Sequence, residues 1–493
     1  MDSREQWNSQ IGFLLAAVGS AIGLGNIWRF SYMAYNYGGG AFLVPYITAL
    51  VTAGIPLLIL EFAMGHERMG SAPLACHKIR PGWEWLGWWA VTFVMFGIVL
   101  YYMVVVAWCL NFMAYSFTLA WGNNPDTFFF KDFLQVSSSP ALLGGFRAPV
   151  LVALTVVWFV NWAIVFRGIS NGIELANKIF MPTLFILTCC LVIWAVNLDG
   201  ATTGLRAYVT PDFSKILSPK VWIDAYSQIF FTLSLGFGIM IAYASYLPRQ
   251  SNITKNAILT ALINSGYSLL AGVGVFSVLG FMAVSQGKPL SEVVSQSIGL
   301  AFVAYPQAIS LMPGGKFFGA IFFFCLFVAG ISSSISIIEA FTSAIIDKFG
   351  CKRKPLVTLL ALAGMAGSLV FATRAGLLWL DIVDHMLTHY GLVVVGIGEC
   401  ILTGWFFNTA FFRTHLNSVS SVKLGPWWDV MIRWFIPFAL GIILLSDIAG
   451  EIKKPYGGYS WQAIFFIGWL WILATLAISI VIARGKWRKR PPY

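Results

Sequence analysis

The residues best suited to chemistry sit where a plain membrane helix would not tolerate them. Gly19-Ser20-Ala21-Ile22-Gly23-Leu24-Gly25-Asn26-Ile27-Trp28-Arg29-Phe30 lies inside the first long apolar stretch. Each glycine costs a helix interior about 1 kcal/mol relative to alanine. A charge deep in hydrocarbon costs roughly 2.5–3.5 kcal/mol. A helix broken here frees backbone groups that can line a buried polar site. Amides at a helix start attract an anion there, and freed carbonyls a cation. Gln228-Ile229-Phe230-Phe231-Thr232-Leu233-Ser234-Leu235-Gly236-Phe237-Gly238 repeats the pattern, and Asn264 falls at a similar depth. Gly19-x-x-x-Gly23 also fits a close-packing motif, but Asn26, Gln228, Thr232 and Asn264 together favour a site. No HExxH or Cys/His cluster accompanies them, so neither a metalloprotease centre nor a zinc site is indicated.

The elements that must position these groups are membrane helices. The chain has 493 residues, 58% hydrophobic and only 10% charged, with a mean hydropathy of +0.79. A soluble domain of this size needs far more surface charge. The net charge of +11 is dispersed between apolar segments and does not describe a nucleic-acid face. Its densest run, Arg484 to Arg490, follows the last span and reads as a cytoplasmic end near anionic lipid. The seven cysteines fall mostly within apolar spans and suggest no disulfide framework.

A spanning helix needs roughly 20 apolar residues. Segments that qualify run at about 11–33, 40–64, 86–121, 147–166, 174–197, 222–246, 257–285, 316–347, 356–373, 377–412, 428–447 and 461–483. Twelve spans put both termini on one side, and the richer lysine and arginine content there makes that side cytoplasmic. The polar segment 1–10 precedes a retained helix, not a cleaved signal peptide. Outer loops run at 122–146 and 198–221. In a third outer segment, 286–315, the apolar stretch Val293–Ile309 is interrupted by Tyr305-Pro306 and reads as re-entrant or surface-lying. Residues 11–197 and 222–412 then form two five-helix repeats, each opening on a broken helix, with 413–483 holding spans eleven and twelve and 484–493 a basic tail. An odd helix count inverts the second repeat, so the two breaks meet near the midplane.

Gly-Ser-Ala-Ile-Gly-Leu-Gly-Asn-Ile-Trp-Arg-Phe, Gly38-Gly39-Gly40-Ala41-Phe42 and Phe231-Thr232-Leu233-Ser234 strongly resemble the neurotransmitter:sodium symporter family. The resemblance runs from Arg4 to about the end of span ten and is weaker beyond. It implies an all-α membrane protein with an inverted five-plus-five repeat and broken helices one and six. It also implies two sodium sites. One is formed by the Ala21 carbonyl, Asn26, Thr232 and Asn264, completed by a substrate carboxylate. The other uses carbonyls of Gly19, Ile22 and Ala329 with the hydroxyls of Ser332 and Ser333. Hard oxygen donors without fixed charge suit a monovalent cation.

The implied substrate site binds a carboxylate through Leu24, Gly25 and Tyr102, and an ammonium through Ala21, Phe231, Thr232 and Ser234. Ile98, Phe231, Phe237, Ser333 and Ile337 shape its side-chain pocket. Monoamine carriers of the family place an aspartate where this chain has Gly23, so the substrate here should bring its own carboxylate. Ser20 departs from the family's asparagine. Tyr46, Gln228, Thr232, Asn264 and Ser268 match the residues around chloride in chloride-dependent members; chloride-independent relatives carry a carboxylate at the position of Ser268. Arg29 and Asp384 match an outer gate. Arg4, Asp347, Trp7, Ser245 and Tyr246 match an inner one.

The function implied is sodium-coupled, chloride-dependent symport of a neutral amino acid across the inner membrane of a prokaryote, with no enzymatic activity. An amino-acid sensor on the same fold and a carrier of another small zwitterion are the nearest alternatives. A channel would show a symmetric filter or charged ring, and none is visible.

Overall fold

The computed structural model describes residues 5–293 and 297–488, and every regular element among them is helical. Ten helices are long and apolar enough to cross a membrane: α3 (Gly39–Arg68), α4 (Pro81–Ser116), α5 (Ala148–Phe166), α6 (Ile169–Val196), α9 (Ile253–Gln286), α10 (Gly315–Phe349), α11 (Arg353–Ala372), α12 (Gly376–Gly404), α14 (Trp427–Gly458) and α15 (Trp461–Arg484). The bent pair α1 (Gln10–Ala21) and α2 (Leu24–Asn36), whose axes meet at 52°, passes the same test when its two halves are taken together, which brings the count to eleven. At the place expected for span six, α7 (Pro219–Thr232) and α8 (Ile239–Ala244) are separated by six non-helical residues.

The first break has a local cause. Val18 still accepts the amide of Ile22 at 2.7 Å, closing α1. Gly23 then takes an extended conformation, φ −126° and ψ −168°. Asn26 Oδ1 accepts the Gly23 amide at 2.9 Å, so a new helix begins three residues upstream of it. The second break turns on backbone that side chains rarely adopt, with positive φ at Ser234 (54°), Gly236 (75°) and Gly238 (67°). Glycine reaches that region without the Cβ penalty; Ser234 reaches it with its hydroxyl bonded to the Ser20 carbonyl at 3.2 Å.

The two broken helices pack half against half. α1 contacts α8, and α2 contacts α7. Because α1 precedes α2 and α7 precedes α8, the broken helices run antiparallel. α4 and α10 are the most buried spans and flank the breaks, whereas α6 and α14 keep most of their surface outward.

Several sequence boundaries shift. Span three ends at Ser116, not 121, where helical hydrogen bonding gives way to turns. Span ten ends at Gly404, and the segment to 412 belongs to a separate helix, α13 (Thr409–Val419), started by Asn408 capping the Ala410 amide at 3.0 Å. Tyr305-Pro306 does not interrupt its segment. A helical run continues from Leu300 to Leu311, because a widened turn at Leu300–Ala304 needs no amide from Pro306.

Candidate functional site

A cavity of about 440 Å³ lies between the two breaks. Every residue expected at the substrate site lines it: Ala21, Leu24 and Gly25 from the first break, Phe231, Thr232, Ser234 and Phe237 from the second, Ile98 and Tyr102 from α4, and Ser333 and Ile337 from α10. The last two pairs are each four residues apart, so both members face the same way. Near Ile98 the regular winding of α4 is broken, with Phe96 at φ −102° and ψ 19°. Ser20, Gly23, Asn26 and Ile239 complete the lining. The inward direction of Ile239 was not legible, since nothing in an all-apolar helix start says which side faces a cavity.

One end of the cavity is built for an anionic group. Leu24 and Gly25 open α2, where amides lack intrahelical acceptors and the helix dipole is positive. The Tyr102 hydroxyl is buried beside Ser333 and the Leu24 backbone, and makes no hydrogen bond of good geometry among the described residues. A Cβ on Gly23 would come within 3.2 Å of that hydroxyl and 3.3 Å of Ser333 Oγ, so glycine keeps the space beside it open. No charged side chain among the described residues lines the cavity. Any charge brought in must be matched by a second charge brought with it, or by the dipoles of the breaks.

Two oxygen clusters flank the cavity. In one, Ser332 Oγ donates to the carbonyls of Gly19 (2.8 Å) and Ala329 (2.9 Å). Ser333 Oγ lies 3.2–3.4 Å from the carbonyls of Ala329, Ile22 and Gly19. Five neutral oxygens thus converge on one another, a set whose chemistry fits a hard monovalent cation. In the other, Asn26 Nδ2 donates to Asn264 Oδ1 at 2.8 Å and to Ser268 Oγ at 2.9 Å. Thr232 Oγ1 is bonded to the Gln228 carbonyl at 2.9 Å. Gln228 Nε2 reaches the Gly25 carbonyl at 3.4 Å.

Tyr46 donates to Ser265, a residue the motif comparison did not single out, at 3.3 Å. Gln228 Oε1 and Asn264 Nδ2 are buried without partners. The second cluster therefore holds one donor, Asn264 Nδ2, that an added acceptor would satisfy, and one acceptor, Gln228 Oε1, that an added cation or donor would satisfy. Among the described residues no group of three or more His, Cys, Asp or Glu side chains is placed to hold a metal ion.

The outer closure differs from the expected pair. Arg29 donates to Ser227 Oγ at 3.3 Å, and its guanidinium sits 5.4 Å from the centre of the Phe231 ring that roofs the cavity. Asp384 accepts the Tyr101 hydroxyl at 2.5 Å. Arg29 and Asp384 form no direct ion pair within 4 Å, because each is engaged by its own neighbour.

On the inner side, Arg4 lies outside the described residues. Trp7 is fixed by its ring nitrogen on the Tyr243 carbonyl (2.9 Å) and by its amide on the Tyr246 carbonyl (3.2 Å). Asp347 Oδ2 accepts the Ser71 amide at 2.8 Å, and Ser245 Oγ bonds the Ala242 carbonyl at 2.5 Å. The Tyr246 hydroxyl donates to Glu339 Oε1 at 2.7 Å. Glu339 is gripped by both terminal nitrogens of Arg353 (2.5 and 2.8 Å), and Arg353 Nε reaches Glu5 at 3.1 Å. Sequence reasoning passed over this Glu5–Arg353–Glu339–Tyr246 chain, whose members are scattered along the sequence without a motif.

A model of the sodium:neurotransmitter symporter family matches residues 4–127 and 122–489. The chain belongs to the sodium:neurotransmitter symporter family. The match runs through spans eleven and twelve, further than the motifs alone reached. A sodium-dependent transporter of Methanocaldococcus jannaschii is 47% identical over 98% of both chains. The human sodium- and chloride-dependent creatine transporter 1 is 32% identical, covering 96% of this chain and 82% of its own. The rat sodium- and chloride-dependent GABA transporter 2 is 29% identical, covering 98% and 86%. The symporter is thus a multi-pass, sodium-dependent membrane transporter and not an enzyme.

Proposed function

We propose that this symporter carries a neutral amino acid inward with two sodium ions, with chloride as a further coupled ion, by alternating access. The observation that carries the reading is the buried Tyr102 hydroxyl, without a well-formed hydrogen bond, beside the first-turn amides of α2 in a cavity that no charged side chain among the described residues lines. Such an end takes a carboxylate that arrives with the substrate. The carbonyls of Ala21, Phe231 and Thr232 and the Ser234 hydroxyl would take the ammonium. The first sodium would sit among Ala21, Asn26, Thr232 and Asn264, the second within the Gly19–Ile22–Ala329–Ser332–Ser333 cluster. Chloride would be held by Tyr46, Gln228, Thr232, Asn264 and Ser268; the buried, unpartnered Asn264 Nδ2 supports that reading.

Each sodium entering down a 100 mV potential releases about 2.3 kcal/mol, and a tenfold gradient adds about 1.4 kcal/mol. Two sodium ions supply about 7.4 kcal/mol on those figures, enough for a substrate gradient on the order of 10⁵. Coupling needs the ions to bind the two access states unequally. In this reading spans one, two, six and seven tilt against the remaining helices, Arg29 and Asp384 approach as the outer side closes, and the inner gate at Trp7, Ser245, Tyr246 and Asp347 opens. Both termini lie in the cytoplasm of a prokaryotic cell, a placement in keeping with the archaeal relative.

A second reading, symport of another small zwitterion, draws on the relatives named for GABA and creatine, since both compounds carry a carboxylate and a cationic nitrogen. The test is uptake by the purified chain in liposomes, with a panel of amino acids, GABA and creatine under imposed sodium and chloride gradients. Sodium-stimulated accumulation of a neutral amino acid supports the first reading. Accumulation of only the other zwitterions supports the second. Saturable binding without transport would identify a sensor.

A further inference from the structure

Two acidic side chains take no part in this transport scheme, yet both are buried in the bundle. Glu61 on α3 is fully buried, and Glu399 on α12 is 2% exposed. Glu61 Oε1 accepts the amide of Gly236, at the centre of the second break, at 2.7 Å. Its other oxygen has no partner, and neither has Glu399 Oε2. Gly236 is pressed from the opposite side by α12: a Cβ there would meet Leu392 Cδ1 at 3.1 Å and the Leu392 carbonyl at 3.3 Å. Glu399 lies two turns beyond Leu392, on the same face of α12. It feels the charge of Glu61, and the Cys400 thiol beside it feels both carboxyls.

Among the described residues no Lys, Arg or His forms an ion pair with either carboxyl. The titratable groups that face the pair are the thiols of Cys76 and Cys400. Glu84, behind Cys76, pairs with Lys348 and lies 2.9 Å from His77 Nδ1. Two buried carboxyls that feel each other's charge, with no cation paired to either, do not both ionise in a low-dielectric interior. One proton on the pair removes the repulsion.

We propose that Glu61 and Glu399 form one proton-binding site, and that its proton is taken up or released as the turn at Gly236 rearranges during transport. The equilibrium is a carboxyl–carboxylate pair going to two carboxylates and a free proton, with solvent as acceptor. When the break holds its present shape, the Gly236 amide favours negative charge on Glu61 and leaves the proton on Glu399. When the break moves and the amide withdraws, Glu61 loses that preference and the affinity of the pair for the proton changes. Whatever binds the break, sodium first, must then by linkage change proton binding by the same factor. The proton becomes a further coupled ion, held outside the substrate cavity.

The test uses the full chain in lipid and sodium alone as the probe, so it does not depend on the substrate reading. Infrared difference spectra on adding sodium should show a change in the protonated-carboxyl stretch. A pH indicator in weak buffer should register up to one proton moved per chain. Glu399→Gln and Glu61→Gln should each abolish both signals, while Glu399→Gln keeps the bundle's shape because the amide has nearly the size and shape of the carboxyl. A sodium-induced signal that survives Glu399→Gln overturns the assignment. So does a wild type that shows no protonated carboxyl, and so does one whose proton count sodium leaves unchanged.

Discussion

Replacing Ser268 with glutamate asks whether a mobile anion or the protein supplies negative charge beside the first cation cluster. Ser268 is fully buried and accepts Asn26 Nδ2 at 2.9 Å, so a carboxylate at 268 would be one residue removed from the ion. At about 5 Å and an effective dielectric near 20, a unit charge pair attracts by roughly 3 kcal/mol. If desolvation cancels about half of that, the remainder corresponds to roughly tenfold in sodium affinity. Chloride held at the same place supplies the same attraction. Replacing chloride by gluconate should therefore lower the sodium affinity of the wild type by about tenfold, with uptake falling in parallel. Ser268→Glu should show equal sodium affinity with and without chloride. Sodium titrations followed by tryptophan fluorescence, and uptake in liposomes, read both quantities. Full sodium affinity of the wild type in chloride-free buffer would refute the reasoning, as would a Ser268→Glu variant that still needs chloride.

Tyr102→Phe removes one donor to a charged carboxylate, for which a loss of about 1.5–3 kcal/mol is usual. The substrate concentration for half-maximal uptake should rise tenfold or more while the maximal rate changes less. Gly23→Asp places a carboxylate against the Tyr102 hydroxyl and should abolish binding of amino acids while admitting amines that lack a carboxylate, measured by competition binding. Arg353→Ala leaves Glu339 as a buried charge without its bidentate partner, a change that typically costs about 3–5 kcal/mol. It should favour the inward-open state, read as faster labelling of a cysteine introduced at Ser333. His415, bonded to His66 at 2.9 Å, is held at a pKa of about 4 by burial and by the charges of His66 and Arg249. Its neutral form is the one the fold keeps, so between about pH 4 and the ordinary histidine value the unfolded chain binds more protons. Thermal stability should rise with pH across that window, and His415→Gln should flatten the rise.

What could be read from the sequence followed from energetic cost. Glycines at 19, 23 and 25 and again at 236 and 238 are so unfavourable within apolar helices that the two interruptions stood out before any coordinates. The residues of the cavity came from the resemblance to the family, which implies positions such as Tyr102 and Ser333 that no local pattern in the chain singles out. The misjudged features depended on cheap choices. Whether span ten ends at Gly404 or 412 turns on one capping asparagine, Asn408. Pro306 looked like a stop, but a widened turn makes its missing amide harmless. The Glu5–Arg353–Glu339–Tyr246 chain joins residues 348, 14 and 93 positions apart, and Glu61 and Glu399 come from opposite halves of the chain. No local pattern marks them; only packing brings them together.

The two breaks differ in how much loose chain they contain. The first changes direction within Ile22 and Gly23, and the capping bond from Gly23 to Asn26 makes its corner stiff. The second runs through six residues, which fully extended can reach roughly 20 Å. A stiff corner transmits movement as a crank does, whereas a slack one absorbs it. On the proposed reading the crank carries Leu24 and Gly25, which would face the carboxylate of the cargo. The slack carries Ser234, which would meet the ammonium, and Phe237, which with the adjoining Phe231 would shape the pocket that distinguishes one cargo from another. Relatives with the same crank and a different slack segment would differ in what they carry while keeping the same coupling to sodium.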